Sequence, residues 1–272
     1  VGNRPEVTID APTSGAVVNQ GAIVTFAGTV SDAEDPAIDL EIAWSSDVDA
    51  GLSTAAPDSS GLTTFNTSAL SPGPHIVTLS ATDTDTLVGR DTVAFTINGL
   101  PSAPVVDLRP DPAVTADALT VSITTDAVDP EGTTVSYTYQ WSKDGAVQSA
   151  LTSPTVAATH TARGELWSVR VLPSDGLGTG PAGTDSLTIG NTAPTVASVA
   201  LSPTPATTDD TLSATASGAD ADGDSVSFTY AWTVNGVSTG TSGSTLDGSY
   251  FDKGDTVTVT ATPSDGTDTG TS

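Results

Sequence analysis

Asp220-Ala221-Asp222-Gly223-Asp224 places three carboxylates on alternate residues, separated by Ala and Gly, so that the backbone can curl and turn them toward one hard cation. The loop lacks the helix-flanked pattern with a terminal Glu, so it is not an EF-hand. Related loops stand earlier in the chain, at Asp32-Ala33-Glu34-Asp35 and at Asp129-Pro130-Glu131-Gly132. A second acidic loop follows each of them: Asp83-Thr84-Asp85, Ser174-Asp175-Gly176 and Ser264-Asp265-Gly266. An asparagine ahead of proline precedes each unit, at Asn3, Asn98 and Asn191. Calcium takes roughly six to eight oxygen ligands, which carboxylates, amide oxygens and carbonyls from several loops can supply. The chain has no Cys and only two His, His75 and His160, which argues against zinc or copper. Asp-rich turns are also common in ordinary solvated loops; recurrence at one place in every unit favours the metal reading. The candidate calcium ligands are Asn3, Asp32, Glu34, Asp35, Asp83, Asp85, Asn98, Asp129, Glu131, Asp175, Asn191, Asp220, Asp222, Asp224 and Asp265.

The elements that must position these residues repeat with a period a little over 90 residues. Trp44, Trp141 and Trp232 each close a short alternating segment, and an aspartate stands twelve residues before each. The repeat predicts modules at 1–98, 99–191 and 192–272. The first two end in a strand after the second acidic loop, Asp91–Ile97 and Asp185–Ile189. The chain stops at Ser272 where the equivalent strand of the third should begin, so the natural protein is expected to continue. Each unit offers about seven segments of period-two alternation between Gly, Pro, Asp and Ser turns. The predicted fold is therefore all-β: three tandem immunoglobulin-like Greek-key β-sandwich modules, the third lacking its last strand. The three Trp residues are expected to fill the space between sheets. In such a fold the two acidic loops and the incoming linker gather at the N-terminal pole. Carboxylates packed there would raise one another's pKa unless a cation sat among them.

Composition narrows the function. Against 33 Asp and Glu the chain has 7 Lys and Arg, a net charge of −26, which rules against electrostatic attachment to nucleic acid or an anionic membrane. No apolar run is long enough to span a bilayer. The opening reads as linker and strand with no signal peptide, so the original N-terminus is expected to lie upstream. No nucleophile stands with a base; His75 and His160 fall in non-corresponding stretches and are expected at the surface, so the segment is read as non-enzymatic. Lys143 and Lys253 sit in turn sequences, which opposes an internal isopeptide bond.

On Asn191 to Pro194, the Asp220 to Asp224 loop, Tyr139 to Trp141 and Tyr230 to Trp232, and the loops at Asp175 and Asp265, the repeats resemble bacterial and archaeal surface modules of the PKD-like and cadherin-like classes. The second unit departs in lacking a third loop carboxylate. The resemblance implies an extracellular or cell-surface array that binds calcium near its junctions and serves as a stalk, spacer or filament component. Its implied partners are calcium and neighbouring modules of the same chain, with other copies of itself and cell-surface glycans as further partners of the class. The alternative is an adhesive module for carbohydrate or a partner protein, which an exposed aromatic platform would favour; aromatics make up only 5% of the chain.

Overall fold

Period-two alternation of Val, Ile, Leu and Thr becomes strand wherever a turn residue bounds it. The computed structural model describes residues 2–272. In the first sandwich a three-stranded sheet runs in the order β1 (Glu6–Ala11), β3 (Val24–Ser31), β6 (Leu62–Thr67). Its five-stranded sheet runs β2 (Val17–Asn19), β8 (Val88–Asn98), β7 (Gly73–Thr82), β4 (Glu41–Ser46), β5 (Ala50–Ser53). The second sandwich repeats the plan, with β14 (Thr155–Val156), β11 (Leu119–Thr125) and β9 (Val105–Arg109) in one sheet. Its other sheet runs β10 (Ala113–Val114), β16 (Gly183–Gly190), β15 (Leu166–Ser174), β12 (Ser136–Lys143), β13 (Ala146–Val147). The third has β17 (Thr195–Ser202), β18 (Leu212–Ala219) and β21 (Thr245–Leu246) in one sheet, and β20 (Val237–Ser238), β19 (Ser227–Val234) and β22 (Val257–Ser264) in the other. β2 meets β8 and β10 meets β16 in parallel, whereas β1–β3, β3–β6, β4–β7, β7–β8, β17–β18 and β19–β22 pair antiparallel. Among the described residues no strand follows β22.

Contact density divides the chain into two units, one holding residues up to Val105 with Ile123–Thr138 and Val171–Gly183, the other holding Val106–Ser122, Tyr139–Arg170 and Thr184–Ser272. Each unit thereby contains one complete junction between successive sandwiches. In the first unit β3 turns Val24, Phe26 and Val30 inward and Thr25, Thr29 and Ser31 outward. Phe26 stacks on Phe65 at 4.7 Å and meets Trp44 edge-on at 5.7 Å and Phe95 at 5.9 Å. Gly28 is required beside them, because a Cβ there would lie 2.6 Å from Leu79 Cδ2 and 2.8 Å from the Thr8 carbonyl oxygen. In the second unit Trp141 and Trp167 meet edge-on at 6.4 Å.

Trp44, Trp141 and Trp232 are 1%, 0% and 1% exposed, as the sequence predicts for the space between sheets. Each indole N–H has an acceptor: the Thr63 hydroxyl at 3.2 Å, the Ser153 carbonyl at 2.8 Å and the Gly243 carbonyl at 2.8 Å. His75 corrects the expectation of a surface side chain. It lies within β7, 1% exposed, in inward register with Val77 and Leu79. Its Nδ1 is 2.8 Å from the Ser46 hydroxyl and its Nε2 2.7 Å from the Ser71 carbonyl, so both ring nitrogens are satisfied and burial carries no unpaired polar atom. His160 is exposed, as expected.

Candidate metal centres at the sandwich poles

One device opens every first acidic loop. Asp32 Oδ1 accepts the N–H groups of Glu34 and Asp35 at 2.9 and 3.0 Å. Asp129 Oδ1 accepts those of Glu131 and Thr133 at 3.1 and 2.8 Å, and Asp220 Oδ1 those of Asp222 and Asp224 at 2.8 and 3.3 Å. The aspartate thus folds its own loop, as short acidic side chains do in turns. The other oxygen, Oδ2, is buried without a hydrogen-bond partner in Asp32, in Asp129 and in Asp220. Asp129 is only 5% exposed as a whole residue. Buried polar atoms are normally paired, and a buried anionic oxygen left alone costs more than a neutral one. The same atom is thus left without a protein partner at the same position in three loops.

The next acid along each loop clamps the incoming chain. Glu34 accepts the N–H of Asn3 at 3.2 Å and its side-chain amide at 3.0 Å. Glu131 accepts the N–H of Gly99 at 3.1 Å, and Asp222 that of Thr192 at 2.6 Å. The junction asparagines tie in the second acidic loop: Asn98 Nδ2 donates to Asp175 Oδ2 at 2.8 Å, and Asn191 Nδ2 to Asp265 Oδ2 and Asp268 Oδ2, each at 2.8 Å. Close approach of linker and loop depends on glycine, since a Cβ on Gly180 or Gly270 would sit 1.9 or 1.7 Å from the carbonyl oxygen of Pro101 or Pro194. In the first sandwich the two acidic loops bond directly, Thr84 Oγ1 lying 3.0 Å from both Asp35 oxygens. Asp83 is buried and holds the Leu87 N–H at 2.7 Å, while Asp85 is exposed beside Gly2.

The predicted residues therefore share poles: Asn3, Asp32, Glu34 and Asp35 at the first; Asn98, Asp129, Glu131 and Asp175 at the second; Asn191, Asp220, Asp222, Asp224 and Asp265 at the third. Among the described residues no three acidic or histidine side chains converge on one point, because most of these carboxylates are turned to a loop N–H or a linker amide. The orphaned Oδ2 atoms nevertheless fit a hard cation, which binds anionic oxygen and needs no proton. Asn19, Thr115, Asp268 and Arg163 were not singled out from sequence. Asn19 Oδ1 accepts Asn98 Nδ2 at 3.2 Å, and Thr115 donates to Asp222. Asp268 was within reach, three residues past Asp265 in the same loop. The other three lie in segments at the far pole of the preceding sandwich and carry no repeat signal of their own.

Charge states follow from these bonds. Burial pushes the Asp175 carboxyl up, but the N–H of Gly178, the Asn98 amide and the N–H of Leu177 outweigh it and hold the group below the ordinary carboxylate range. Asp265 is held low mainly by the Asn191 amide, with the N–H of Asp268 adding to it. Hydrogen bonding to Asp224, and then its charge, lifts Arg163 further above its ordinary value. A carboxyl depressed in the folded state contributes stability that is present above its unfolded pKa of about 3.9 and lost as pH falls through the lower folded value. Urea midpoints should accordingly fall as pH drops below about 4, and Asp175→Asn should flatten that slope; an unchanged slope would show that the junction bonds do not persist in solution.

No protein-family model matches the chain, and no curated protein sequence matches it. Among solved structures it is similar to an I-band fragment of titin at 9% identity, covering 98% of this chain and 96% of that one, with a TM-score of 0.44. A Ca2+-stabilized adhesin that helps an Antarctic bacterium reach out and bind ice is similar at 17% identity, over 97% of this chain and 74% of that one, with a TM-score of 0.38. Fibronectin(III)-like modules of Clostridium thermocellum CbhA are similar at 17% identity, over 68% of this chain and 94% of theirs, with a TM-score of 0.32.

Proposed function

We propose that this chain is a non-catalytic, extracellular segment of a surface protein of the PKD-like or cadherin-like kind, in which calcium bound at the sandwich poles stiffens the junctions of a stalk or spacer. The observation that carries the reading is the orphaned Oδ2 of Asp32, Asp129 and Asp220. Each stands beside the residues that clamp the incoming linker, so an ion held there would tie the loop, the linker and the second acidic loop together. Calcium suits these positions because it accepts carboxylate, amide and carbonyl oxygens in flexible numbers. Its binding would also offset the mutual repulsion of 33 acidic residues.

A carbohydrate-binding platform needs exposed rings, and among the described residues Tyr250 is the single exposed aromatic side chain. The stiffening role is therefore preferred to adhesion through sugars. Among the described residues no helix is long and apolar enough to cross a membrane.

Titration of the chain with calcium against EDTA, followed by thermal unfolding and small-angle scattering, tests the reading. At a free calcium level of about 100 times Kd, each site should add about 2.7 kcal/mol of stability, and the scattering curve should report a narrower distribution of particle lengths. An unchanged melting temperature and unchanged scattering would mean that the acidic loops are simply solvated.

A further inference from the structure

The two junctions are not built from the same charges. At the first, the hydrogen bonds by which the preceding sandwich and linker hold one another and the acidic loops come, among the described residues, from neutral groups: the amides of Asn19 and Asn98 and the N–H of Gly99. At the second, Thr115, Asn191 and the N–H of Thr192 play the comparable parts. There the guanidinium of Arg163 joins them. Its Nη1 donates to Asp224 Oδ2 and to Asn191 Oδ1, each at 2.5 Å, and its Nη2 lies 3.5 Å from the other Asp224 oxygen. Only 7 of the 272 residues are Lys or Arg, so a cation seated in an acidic junction is not explained by abundance.

The loop that carries Arg163 is anchored. It follows a short 3-10 turn at Ala158–His160, and the neighbouring Gly164 N–H donates to the Ile189 carbonyl of β16 at 2.8 Å. Two residues beyond Ile189 stands Asn191, the guanidinium's other partner. Arg163 therefore links the end of the second sandwich, the linker and the first acidic loop of the third. The corresponding turn of the first sandwich, Ser68-Ala69-Leu70-Ser71-Pro72-Gly73, contains no basic residue.

We propose that Arg163 is a resident cation of the second junction, which clasps Asp224 and Asn191 when no metal is bound and competes with calcium for Asp224. This rests on the calcium reading given above. The pair is partly exposed, its side chains 41% and 32% accessible, so it is the weak kind of ion pair that a divalent ion can displace. Asp220 and Asp222 lie in the same loop, and Asp265 and Asp268 hold the Asn191 amide, so the junction stays acidic with Arg163 in place and still attracts a divalent ion. Both junctions are held by hydrogen bonds to the linker, and the second carries in addition a charged clasp that raises the calcium needed to fill it.

The test is a calcium titration of the full chain by two-dimensional NMR, with the amide of Gly132 reporting the first junction loop and that of Gly223 the second. Arg163→Gln should shift the Gly223 midpoint down by about ten-fold, the order expected when a unit charge is removed from beside a divalent ion near a protein surface. It should leave Gly132 unmoved and broaden the Gly223 region in EDTA, while Arg163→Lys, which keeps the charge, should stay near the wild-type midpoint. If both glycines titrate and Arg163→Gln leaves the Gly223 midpoint in place or raises it, the competition is disproved while the calcium reading survives. If neither glycine responds to calcium in any variant, both fail together.

Discussion

Replacing Trp141 by Ala should cost the second sandwich about 3–5 kcal/mol, as truncation of a buried indole in a close-packed interior generally does. A sandwich of this size has on the order of 5–15 kcal/mol in total, so much of the second module would be lost at moderate denaturant. Three losses combine in that figure. The indole is wholly enclosed, its N–H leaves the Ser153 carbonyl, and Trp167 loses the ring it meets edge-on. Near-UV circular dichroism during urea unfolding reads the effect, since Trp167 in the same core reports its own surroundings. Trp141→Phe keeps an aromatic body without the N–H and should lose roughly half as much. A cost below about 1 kcal/mol for Trp141→Ala would place the ring outside the sandwich core.

The core was readable in the sequence because its signal is local. Alternation in Val24–Ser31 and Val257–Ser264 gives strand and facing at once, and the Trp residues mark the middle of each sandwich. Chain direction alone was enough to bring Asp32, Asp129 and Asp220 to the pole where the linker enters. Non-local partners were not readable. His75 sits in a strand whose alternation points it inward, yet nothing nearby announces that Ser46, 29 residues earlier, would satisfy its ring. Arg163 and Asp224 are 61 residues apart and belong to different repeats, so no within-module pattern could pair them. The orphaned oxygens are a further step removed. Spacing places a carboxylate at the start of a loop, whereas the fold decides which of its two oxygens the loop amides occupy.

That division of labour between the two oxygens of Asp129 leads to the sharpest expectation for the candidate site. Asp129→Asn keeps a side-chain oxygen that can accept the N–H groups of Glu131 and Thr133, and it removes the charge that the unpaired Oδ2 carries. Without calcium the variant should be as stable as the wild type or slightly more so, because a buried, unpaired anionic oxygen has been neutralised. With calcium the order should reverse: the wild type gains stability from the ion and the variant gains little, its affinity at that pole falling by about 100-fold for loss of one anionic ligand in a low-dielectric setting. Asp129→Ala separates the roles, since it removes the loop bonds as well and should cost about 1–3 kcal/mol even in EDTA. Melting temperatures of the three proteins in EDTA and in millimolar calcium give the comparison directly. A crossing of the wild-type and Asp129→Asn values between the two conditions assigns the orphaned oxygen to the ion; parallel behaviour assigns Asp129 to loop structure alone, with the buried charge tolerated for another reason.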